Sequence, residues 1–266
     1  MAGNKMQSGN FNFVHLPKKE FQCLQKKSNL TYLMKWSLKG NIKVKYYNFN
    51  EKFLPCQKQE FVESFFSDPN VCATFETVKS GTWNILRKPA NEISFQQIPC
   101  TVTSMDFFSR ITAPDNGITY QGSIKQCMEE TIDGFYVNDN LRALFLDPSS
   151  EYFNLYSSSE RREFIFLLMM LFTLGGKYCQ QEIEIQPYLD MTRETYKELI
   201  SVHRGAKENE INIRTTVLKV VAYGKDHEAI CPVDPGNKQN VVYLIIDDFK
   251  RQVAVLTHQD SGNVFL

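Results

Sequence analysis

The chain has 266 residues, with 30 basic and 30 acidic side chains, so its formal net charge is zero, and 13% of its residues are aromatic. This aromatic content excludes a disordered chain, and the length predicts a soluble globular protein of one large domain or two small ones. Its seven scattered cysteines contain no CxxC pair, which favours reduced thiols in the cytosol over a secreted disulfide framework. The first ten residues contain no apolar stretch, so we expect no secretory signal.

Positive charge is concentrated at the start of the chain. Residues 1–52 contain ten lysines, no arginine and two glutamates, a local charge of +8 that the remaining residues balance with −8. Three interpretations stay open: a solvated lysine face, a surface for an acidic partner protein, or a nucleic-acid surface, against which the absence of arginine counts. The predicted partner-contact residues are Lys18, Lys19, Lys26, Lys27, Trp36, Lys43 and Lys45.

Apolar periodicity predicts alternating short strands and helices in the first hundred residues. The predicted strands are 11–16, 42–49, 83–86 and 94–98, and the predicted helices are 18–26, 30–38 and 59–66. Asn29 is the expected N-cap of the second helix, and Gly40 is its expected stop. Asp68-Pro69-Asn70 should end the third helix, because the residue before a proline disfavours helical geometry.

The centre of the chain is predicted to be mainly helical. The predicted helices are 103–111, 122–131, 138–146 and 191–203. Asn138 or Asp139 is expected to cap the helix at 138–146, because both side chains are good N-caps.

The stretch FIFLLMMLFTLGG begins at Phe164, and ten of the eleven residues 164–174 are strongly apolar. A membrane-spanning helix needs about 20 apolar residues, so the pattern predicts a buried core helix, with a Met- and Phe-rich docking face as the alternative. Ser157 and Glu160 have the spacing of a capping box and are expected to start this helix. Gly175 and Gly176 are expected to end it with a left-handed C-cap.

The C-terminal part is rich in β-branched residues. Residues 211–223, 241–248 and 251–258 predict a three-stranded antiparallel meander, with a turn at 234–237 before its second strand. The predicted fold class is α+β, a single globular domain with a helix-rich N-terminal and central part and a C-terminal antiparallel β-meander. The predicted boundaries are a flexible N-terminus at 1–10, the domain at 11–258 and a tail at 259–266.

Two motifs that resemble catalytic signatures are incomplete. LGGKYC lacks the first glycine and the final Ser or Thr of a phosphate-binding loop, because Leu171 and Tyr178 occupy those positions. HEAIC, which begins at His227, has Cys231 where the HExxH zinc motif requires its second histidine. Neither stretch therefore predicts a phosphate or zinc site.

The remaining reactive side chains have ordinary structural interpretations. Asp247 follows an apolar strand as a Mg²⁺-binding acid would, but no phosphate loop accompanies it. His258 and Asp260 supply only half of an iron-binding triad. Cys100 and Cys179 are most simply buried structural thiols. We therefore predict no catalytic residue, no cofactor and no metal.

Five blocks of sequence carry a resemblance to a known family. They are SDPNV (67–71), PCTVTSMDFFSR (99–110), LGGKYCQ (174–180), PYLDMTRETYKELISV (187–202) and VLKVVAY (217–223). In this order the chain resembles the cilia- and flagella-associated protein 300 family over about residues 11–258.

The resemblance implies a non-enzymatic protein that acts in the cytoplasmic assembly or transport of outer and inner dynein arms and also reaches the axoneme of the cilium. The implied partners are other assembly factors, dynein chains or transport machinery, with no nucleic acid and no transmembrane segment. The family provides no catalytic residue to carry over. The alternatives are an enzyme of unfamiliar type, metal-assisted through His227, Cys231, Asp247 or His258, and a peripheral membrane protein.

Overall fold

A computed structural model of the chain describes residues 11–205 and 211–260. The predicted flexible N-terminus, residues 1–10, and residues 261–266 of the predicted tail lie outside the described residues. The strands are β1 Phe13–His15, β2 Ile42–Phe49, β3 Glu76–Lys79, β4 Thr82–Ile85, β5 Glu92–Ile98, β6 Thr119–Tyr120, β7 Ser123–Ile124, β8 Gln126–Ile132, β9 Phe135–Asp139, β10 Val202–Arg204, β11 Ile211–Ile213, β12 Thr216–Tyr223, β13 Ala229–Cys231, β14 Val241–Asp247 and β15 Gln252–His258. The helices are α1 Gln22–Gln25, α2 Lys27–Lys35, α3 Lys58–Ser67, α4 Pro69–Thr74, α5 Ser109–Thr112, α6 Asn140–Leu146, α7 Phe164–Leu174 and α8 Gln186–Leu199, with short 3₁₀ turns at Pro55–Gln57, Met105–Phe108, Phe153–Leu155 and Glu160–Arg162.

The chain divides into two compact units, each built from segments that are distant in sequence. The sheet unit comprises Met1–Phe21, Gly40–Ile98 and Arg214–Leu266, and the helical unit comprises Gln22–Lys39 and Pro99–Ile213. The combination of helices with antiparallel sheet confirms the α+β class. The proposed extent of a single domain, residues 11–258, stays a prediction.

The sheet unit is built around an antiparallel sheet, which has seven strands among the described residues. Its order is β1-β2-β15-β14-β12-β13, and β5 also pairs with β12. The neighbours β12, β14 and β15 are antiparallel, with Val217 opposite Ile245 and Leu244 opposite Val255. This pairing confirms the predicted C-terminal meander. Its first strand is shorter than the predicted 211–223, because residues 211–213 form β11, which pairs with β10.

Phenylalanine rings fill the space between this sheet and helix α3. Phe61 and Phe65 are fully buried, because α3 turns one face toward the sheet at the i, i+4 spacing. The Phe13 ring lies 5.2 Å from the Phe61 ring and 5.0 Å from the Phe65 ring, both edge to face. Aromatic pairs prefer this geometry, so the cluster fixes β1 against α3.

The apolar helix α7 lies in the core of the helical unit. Nine of its eleven residues are buried, which confirms the core interpretation and leaves no exposed apolar face for the docking alternative. Thr192 of α8 donates a hydrogen bond to the Met169 sulfur at 3.4 Å. No helix among the described residues is long and apolar enough to cross a bilayer.

The ends of α7 differ from the prediction. Ser157 and Glu160 do form the capping-box hydrogen bonds, at 2.8 Å and 3.3 Å, but they open the 3₁₀ turn at Glu160–Arg162. The helix itself starts after Glu163, whose carboxylate accepts the Thr101 amide at 2.9 Å. Gly175 ends the helix with φ +64° and ψ −164°, a conformation open to glycine but outside the left-handed helical region that was predicted.

The predicted helix at 122–131 is wrong, because this segment forms β7 and β8. Asn29 does not cap α2: the helix starts at Lys27, and the buried Asn29 side chain donates to the Cys23 carbonyl at 3.0 Å. The helix predicted at 191–203 is α8, which covers residues 186–199. The last two residues of the predicted helix, 202 and 203, belong instead to β10.

The helix predicted at 18–26 is reduced to the four residues of α1, Gln22–Gln25, whereas other elements agree more closely. The β2 strand has the predicted bounds of residues 42–49, and Asp139 caps α6 by accepting the Arg142 amide. The segment 103–111 is only partly α-helical, because a 3₁₀ turn precedes α5.

Candidate functional site

The residues of the two incomplete metal motifs lie in separate structural settings. His227 is exposed in a turn, with Nδ1 2.9 Å from Glu92 Oε2, whereas Cys231 is fully buried at the end of β13. His258 is also fully buried, with Nδ1 2.6 Å from the Gln239 carbonyl oxygen. Burial lowers the pKa of His258, because desolvation disfavours the charged ring. Among the described residues, no three His, Cys, Asp or Glu side chains converge as a metal site.

Asp247 closes a turn. Its Oδ1 accepts the amides of Phe249 at 3.1 Å and Lys250 at 3.0 Å, which is the common role of an aspartate at the start of a β-turn. This geometry explains why an acid follows the apolar strand β14.

Three of the cysteines have the properties of structural thiols. All seven lie within the described residues and are free. Burial raises the pKa of Cys23 to about 11 and the pKa values of Cys100 and Cys231 to about 12. Because the thiolate is the nucleophilic form, these three side chains are poorly suited to covalent catalysis.

The two glycines of LGGKYC allow close backbone packing. A Cβ on Gly175 would lie 2.6 Å from the Trp36 carbonyl oxygen, and one on Gly176 would lie 2.5 Å from the Ser37 carbonyl oxygen. The Gly176 amide donates to Trp36 at 2.8 Å. Because glycine has no side chain, the backbone after α7 can pack directly against the C-terminal end of α2. The amides of these glycines do not form a phosphate-binding loop.

The segment SDPNV, residues 67–71, binds the edge strand β1 of the sheet unit. Asp68 caps α4 through the amides of Asn70 and Val71, and its second oxygen accepts the Phe13 amide at 2.9 Å. The Asn70 side chain donates to the Phe13 carbonyl at 3.1 Å. Two side chains thus satisfy the outer edge of β1, where another strand could otherwise pair.

Four of the predicted partner-contact residues lie in the sheet unit, and their contacts differ. Lys18 is exposed, and the Lys19 ammonium lies 4.1 Å from the centre of the Tyr46 ring. Lys43 and Lys45 both bind Glu76, at 3.1 Å and 2.8 Å. The last two lysines are therefore partly neutralised within the fold.

The other three lie in the helical unit. Lys26 pairs with Glu194 at 2.6 Å, and Lys27 is exposed. Trp36 is fully buried, stacked on Tyr188 at 4.7 Å, and donates to Glu182 at 3.1 Å. Trp36 is therefore a core residue, and the interpretation of its ring as an exposed aromatic anchor is corrected.

The structure contains two hairpins that the sequence analysis did not identify as exposed surfaces. We name residues 76–88 the basic hairpin, since Lys79, Arg87 and Lys88 outnumber its single acid, Glu76. Its strands β3 and β4 pair from Glu76 opposite Ile85 to Lys79 opposite Thr82. Its turn residues Ser80 and Gly81 both have positive φ, 51° and 75°.

We name residues 126–139 the acidic hairpin, because the segment contains four acids and no Lys or Arg. Its strands β8 and β9 meet at Asp133 and Gly134, whose φ values are also positive, 50° and 83°. Two central residues with φ > 0 define the turn type that favours Asp-Gly. This dipeptide, flanked by β-branched and aromatic residues, is the signal that could have identified the hairpin from sequence.

The acidic hairpin is open to solvent along most of its length. Met128 is 90% exposed and Tyr136 is 50% exposed. Only Val137 and Asp139 of its two strands are buried. Two large side chains of this hairpin are therefore left in contact with solvent.

The base of the acidic hairpin is held by a buried ion pair. Asp139 accepts both the backbone amide and the guanidinium of Arg142, and the two side chains are 1% and 2% exposed. Arg142 also donates to the Thr173 carbonyl at 2.6 Å and to the Tyr188 hydroxyl at 3.1 Å. The hairpin therefore leaves the helical core from a rigid base.

These features define an α+β protein that presents exposed hairpins and holds Cys231, Asp247 and His258 in buried positions. A family model described as cilia- and flagella-associated protein 300 matches residues 10–258, and the chain belongs to this family. It is 30% identical to a cilia- and flagella-associated protein 300 of Chlamydomonas reinhardtii, over 87% of this chain and 90% of that protein. It is 29% identical to one of Paramecium tetraurelia, over 97% and 96% of the two chains. No solved structure matches the chain.

Proposed function

We propose that this chain is a non-enzymatic factor for the assembly or transport of outer and inner dynein arms, acting in the cytoplasm and reaching the axoneme. The observation that carries this proposal is membership of a cilia- and flagella-associated family over residues 10–258. The structural roles of the candidate catalytic groups support a role through contacts, since Asp247 closes a turn and Cys231 is a buried thiol.

The partners that we propose are other dynein arm assembly factors, dynein chains or the ciliary transport machinery. The exposed lysines Lys18 and Lys27 stay candidate contacts for an acidic partner surface, and each belongs to a different unit. Reversing each lysine to Glu separately therefore tests the two units separately. Lys45→Gln is a useful comparison, because its ammonium is already held by Glu76.

The function is tested by removing the protein from multiciliated cells and examining axoneme cross-sections by electron microscopy. We expect arms to be lost and ciliary beating to be reduced, while the microtubule doublets persist. Proximity labelling with the tagged full chain in the same cells should recover dynein chains or assembly factors. Intact arms in the deficient cells would overturn the proposal.

A further inference from the structure

The two outer strands of the main sheet, β1 and β5, differ in what closes their free edges. At β1, Asp68 accepts the Phe13 amide at 2.9 Å, and Asn70 donates to the Phe13 carbonyl at 3.1 Å. At the other end of the sheet, β5 pairs with β12 alone. Among the described residues, no backbone group of residues 92–98 forms a hydrogen bond outside this ladder. Because alternate residues direct their amide and carbonyl groups away from the paired strand, the outer edge of β5 presents unpaired donors and acceptors.

The edge of β5 lacks the features that usually protect an outer strand. Protected edges are short or bulged, or they carry proline or charged side chains, especially lysine. The seven residues of β5 pair with residues 217–223 without a register shift, and residues 93–97, ISFQQ, include neither a charge nor a proline. Ser94, Gln96 and Gln97 are exposed, so neighbouring segments leave these side chains open to solvent.

The residues of β5 are compatible with pairing to an identical strand. Two antiparallel copies centred on Phe95 would use all seven residues, because the twofold axis would pass through the middle of the strand. Ser94 of one copy would lie opposite Gln96 of the other, so hydroxyl and amide groups could hydrogen-bond across each pair. This match holds whichever alternate set of backbone groups faces outward, since both sets are symmetric about Phe95.

Phe95 supplies an apolar contact at the centre of this pairing. Its ring is half-buried and packs against the buried cluster that includes Ile93 and Val220. A second copy would place its own Phe95 directly across the strand pair, where Cβ atoms are about 4.5–5.5 Å apart. Each ring would then cover part of the other, and a cross-strand aromatic pair adds stability.

Charge favours a second copy over a charged segment of another protein. Glu92 is the only charged residue of β5, and its carboxylate lies 2.9 Å from Nδ1 of His227. In the symmetric register Glu92 would face Ile98 of the other copy, so no like charges would lie opposite each other. The uncharged residues 93–97 offer a charged segment no complementary group.

We propose that the outer edge of β5 pairs antiparallel with the same edge of a second copy of this chain, forming a twofold-symmetric dimer with one continuous sheet. A twofold dimer is the commonest symmetric assembly of soluble proteins, and its interface uses the same surface of both copies. One strand pair buries a small area, so we expect weak association in the micromolar range. The dimer is a property of the chain itself and does not depend on the proposed function.

Dimerisation is tested by analytical ultracentrifugation of the purified full-length protein from about 1 μM to about 100 μM, the range in which a small interface associates. The mass should rise from 30.8 kDa toward twice this value. The variant S94E/Q96E places carboxylate opposite carboxylate in both cross-strand pairs and should dimerise about tenfold more weakly. A wild type that stays monomeric over this range overturns the proposal and would leave the β5 edge to an extended segment of another protein.

A matched variant tests the antiparallel register. S94K/Q96E differs from S94E/Q96E only in the charge at residue 94, and it places each lysine opposite a glutamate of the other copy. It should therefore dimerise at least as tightly as the wild type. Glutamate is chosen at residue 96 because Lys219 lies opposite Gln96 on β12, so the folded monomer gains no like-charge contact there. Equal dimerisation by the two variants would overturn the proposed register.

Two further measurements separate the β5 edge from other surfaces. The control T82E/N84E adds the same charges to exposed positions of β4 in the same unit and should dimerise as the wild type does. Amide hydrogen exchange in residues 92–98 should slow as the protein concentration rises, because the outward amides become hydrogen-bonded in the dimer. Dimers that form without slower exchange in β5 would show that the interface lies elsewhere. Circular dichroism and urea unfolding establish that each variant is folded.

Discussion

The basic and acidic hairpins have the same turn chemistry but differ in what supports them. Each has a two-residue turn with two positive φ values, at Ser80-Gly81 and Asp133-Gly134. In the basic hairpin, Thr77 and Val78 are buried, and the Thr77 hydroxyl donates to the Ile230 carbonyl. In the acidic hairpin, every residue of β8 is exposed or half-buried.

The residues of the turn therefore specify a hairpin, whereas contacts with neighbouring elements decide whether the hairpin is packed into the core. Lys43 and Lys45 hold Glu76 of the basic hairpin, and the Lys43 ammonium lies 4.3 Å from the Trp83 ring centre. The acidic hairpin has comparable support only at its base. Its outer part is exposed to solvent, and four changes test this contrast.

The largest effect is expected at the base of the acidic hairpin. Arg142→Ala leaves the Asp139 carboxylate buried without its cation, so the free energy of unfolding of the helical unit should fall by about 3–5 kcal/mol. Urea unfolding followed by circular dichroism measures this free energy. The control Arg193→Ala removes an exposed pair with Asp190 and should cost about 0.5 kcal/mol or less. A loss below about 1 kcal/mol in Arg142→Ala would contradict a rigid base.

The second effect compares one apolar side chain from each hairpin. Val78→Ala should lower the free energy of unfolding by about 2 kcal/mol, because a buried side chain loses two methyl-sized groups. Met128→Ala should change it by no more than about 0.5 kcal/mol, since Met128 is 90% exposed. Chemical denaturation of both variants measures the two values. Equal losses would show that the acidic hairpin is packed as firmly as the basic one.

The third effect concerns the turns. Alanine at Gly134 meets no atom within 4 Å, so Gly134→Ala should cost only the backbone strain of a positive φ, about 1 kcal/mol. We expect this cost to appear as faster amide hydrogen exchange in β8 and β9, with global unfolding unchanged. Gly81→Ala, at φ +75°, should instead lower global stability, because the basic hairpin is tied to the main sheet.

The smallest effect is a pH dependence confined to the basic hairpin. Burial alone would raise the pKa of Glu76, but hydrogen bonds and charges of Lys45 and Lys43 outweigh it and lower that pKa. The resulting stabilisation, about 1 kcal/mol or less, is present above the ordinary pKa near 4.5 and is lost as pH falls through the lowered value. Glu76→Gln should remove this dependence in urea unfolding between pH 3 and pH 6. Glu130→Gln is the control, because Glu130 has no ion-pair partner in the described part of the chain.

Much of the fold could be predicted because it depends on local pattern. The β-branched segments that form β12, β14 and β15 predicted the meander, since half-buried or buried strands favour such residues. The apolar run of α7 predicted a buried helix. The five sequence blocks predicted the family, which the family model confirms.

The candidate surfaces could not be predicted in the same way. Residues 122–131 contain Gln, Lys, Met and Glu, which favour helices. They form strands because 123–124 pair with 119–120 and 126–132 pair with 135–139. Lys43 and Lys45 looked free in sequence, but Glu76, more than thirty residues away, holds both. Trp36 looked like an exposed aromatic anchor, and Tyr188 and Glu182 enclose it.

The sequence by itself determined the α+β class, the core helix, the meander and the family, because each follows from the order of residues along a short segment. Only the tertiary structure decided which charged side chains form ion pairs within the fold and which do not. That decision depends on residues far apart in the chain: Glu76 neutralises two lysines, while no cation approaches Glu129 or Glu130 among the described residues. Such pairs form only when segments distant in sequence pack together, and for this reason the order of residues along one segment does not determine them.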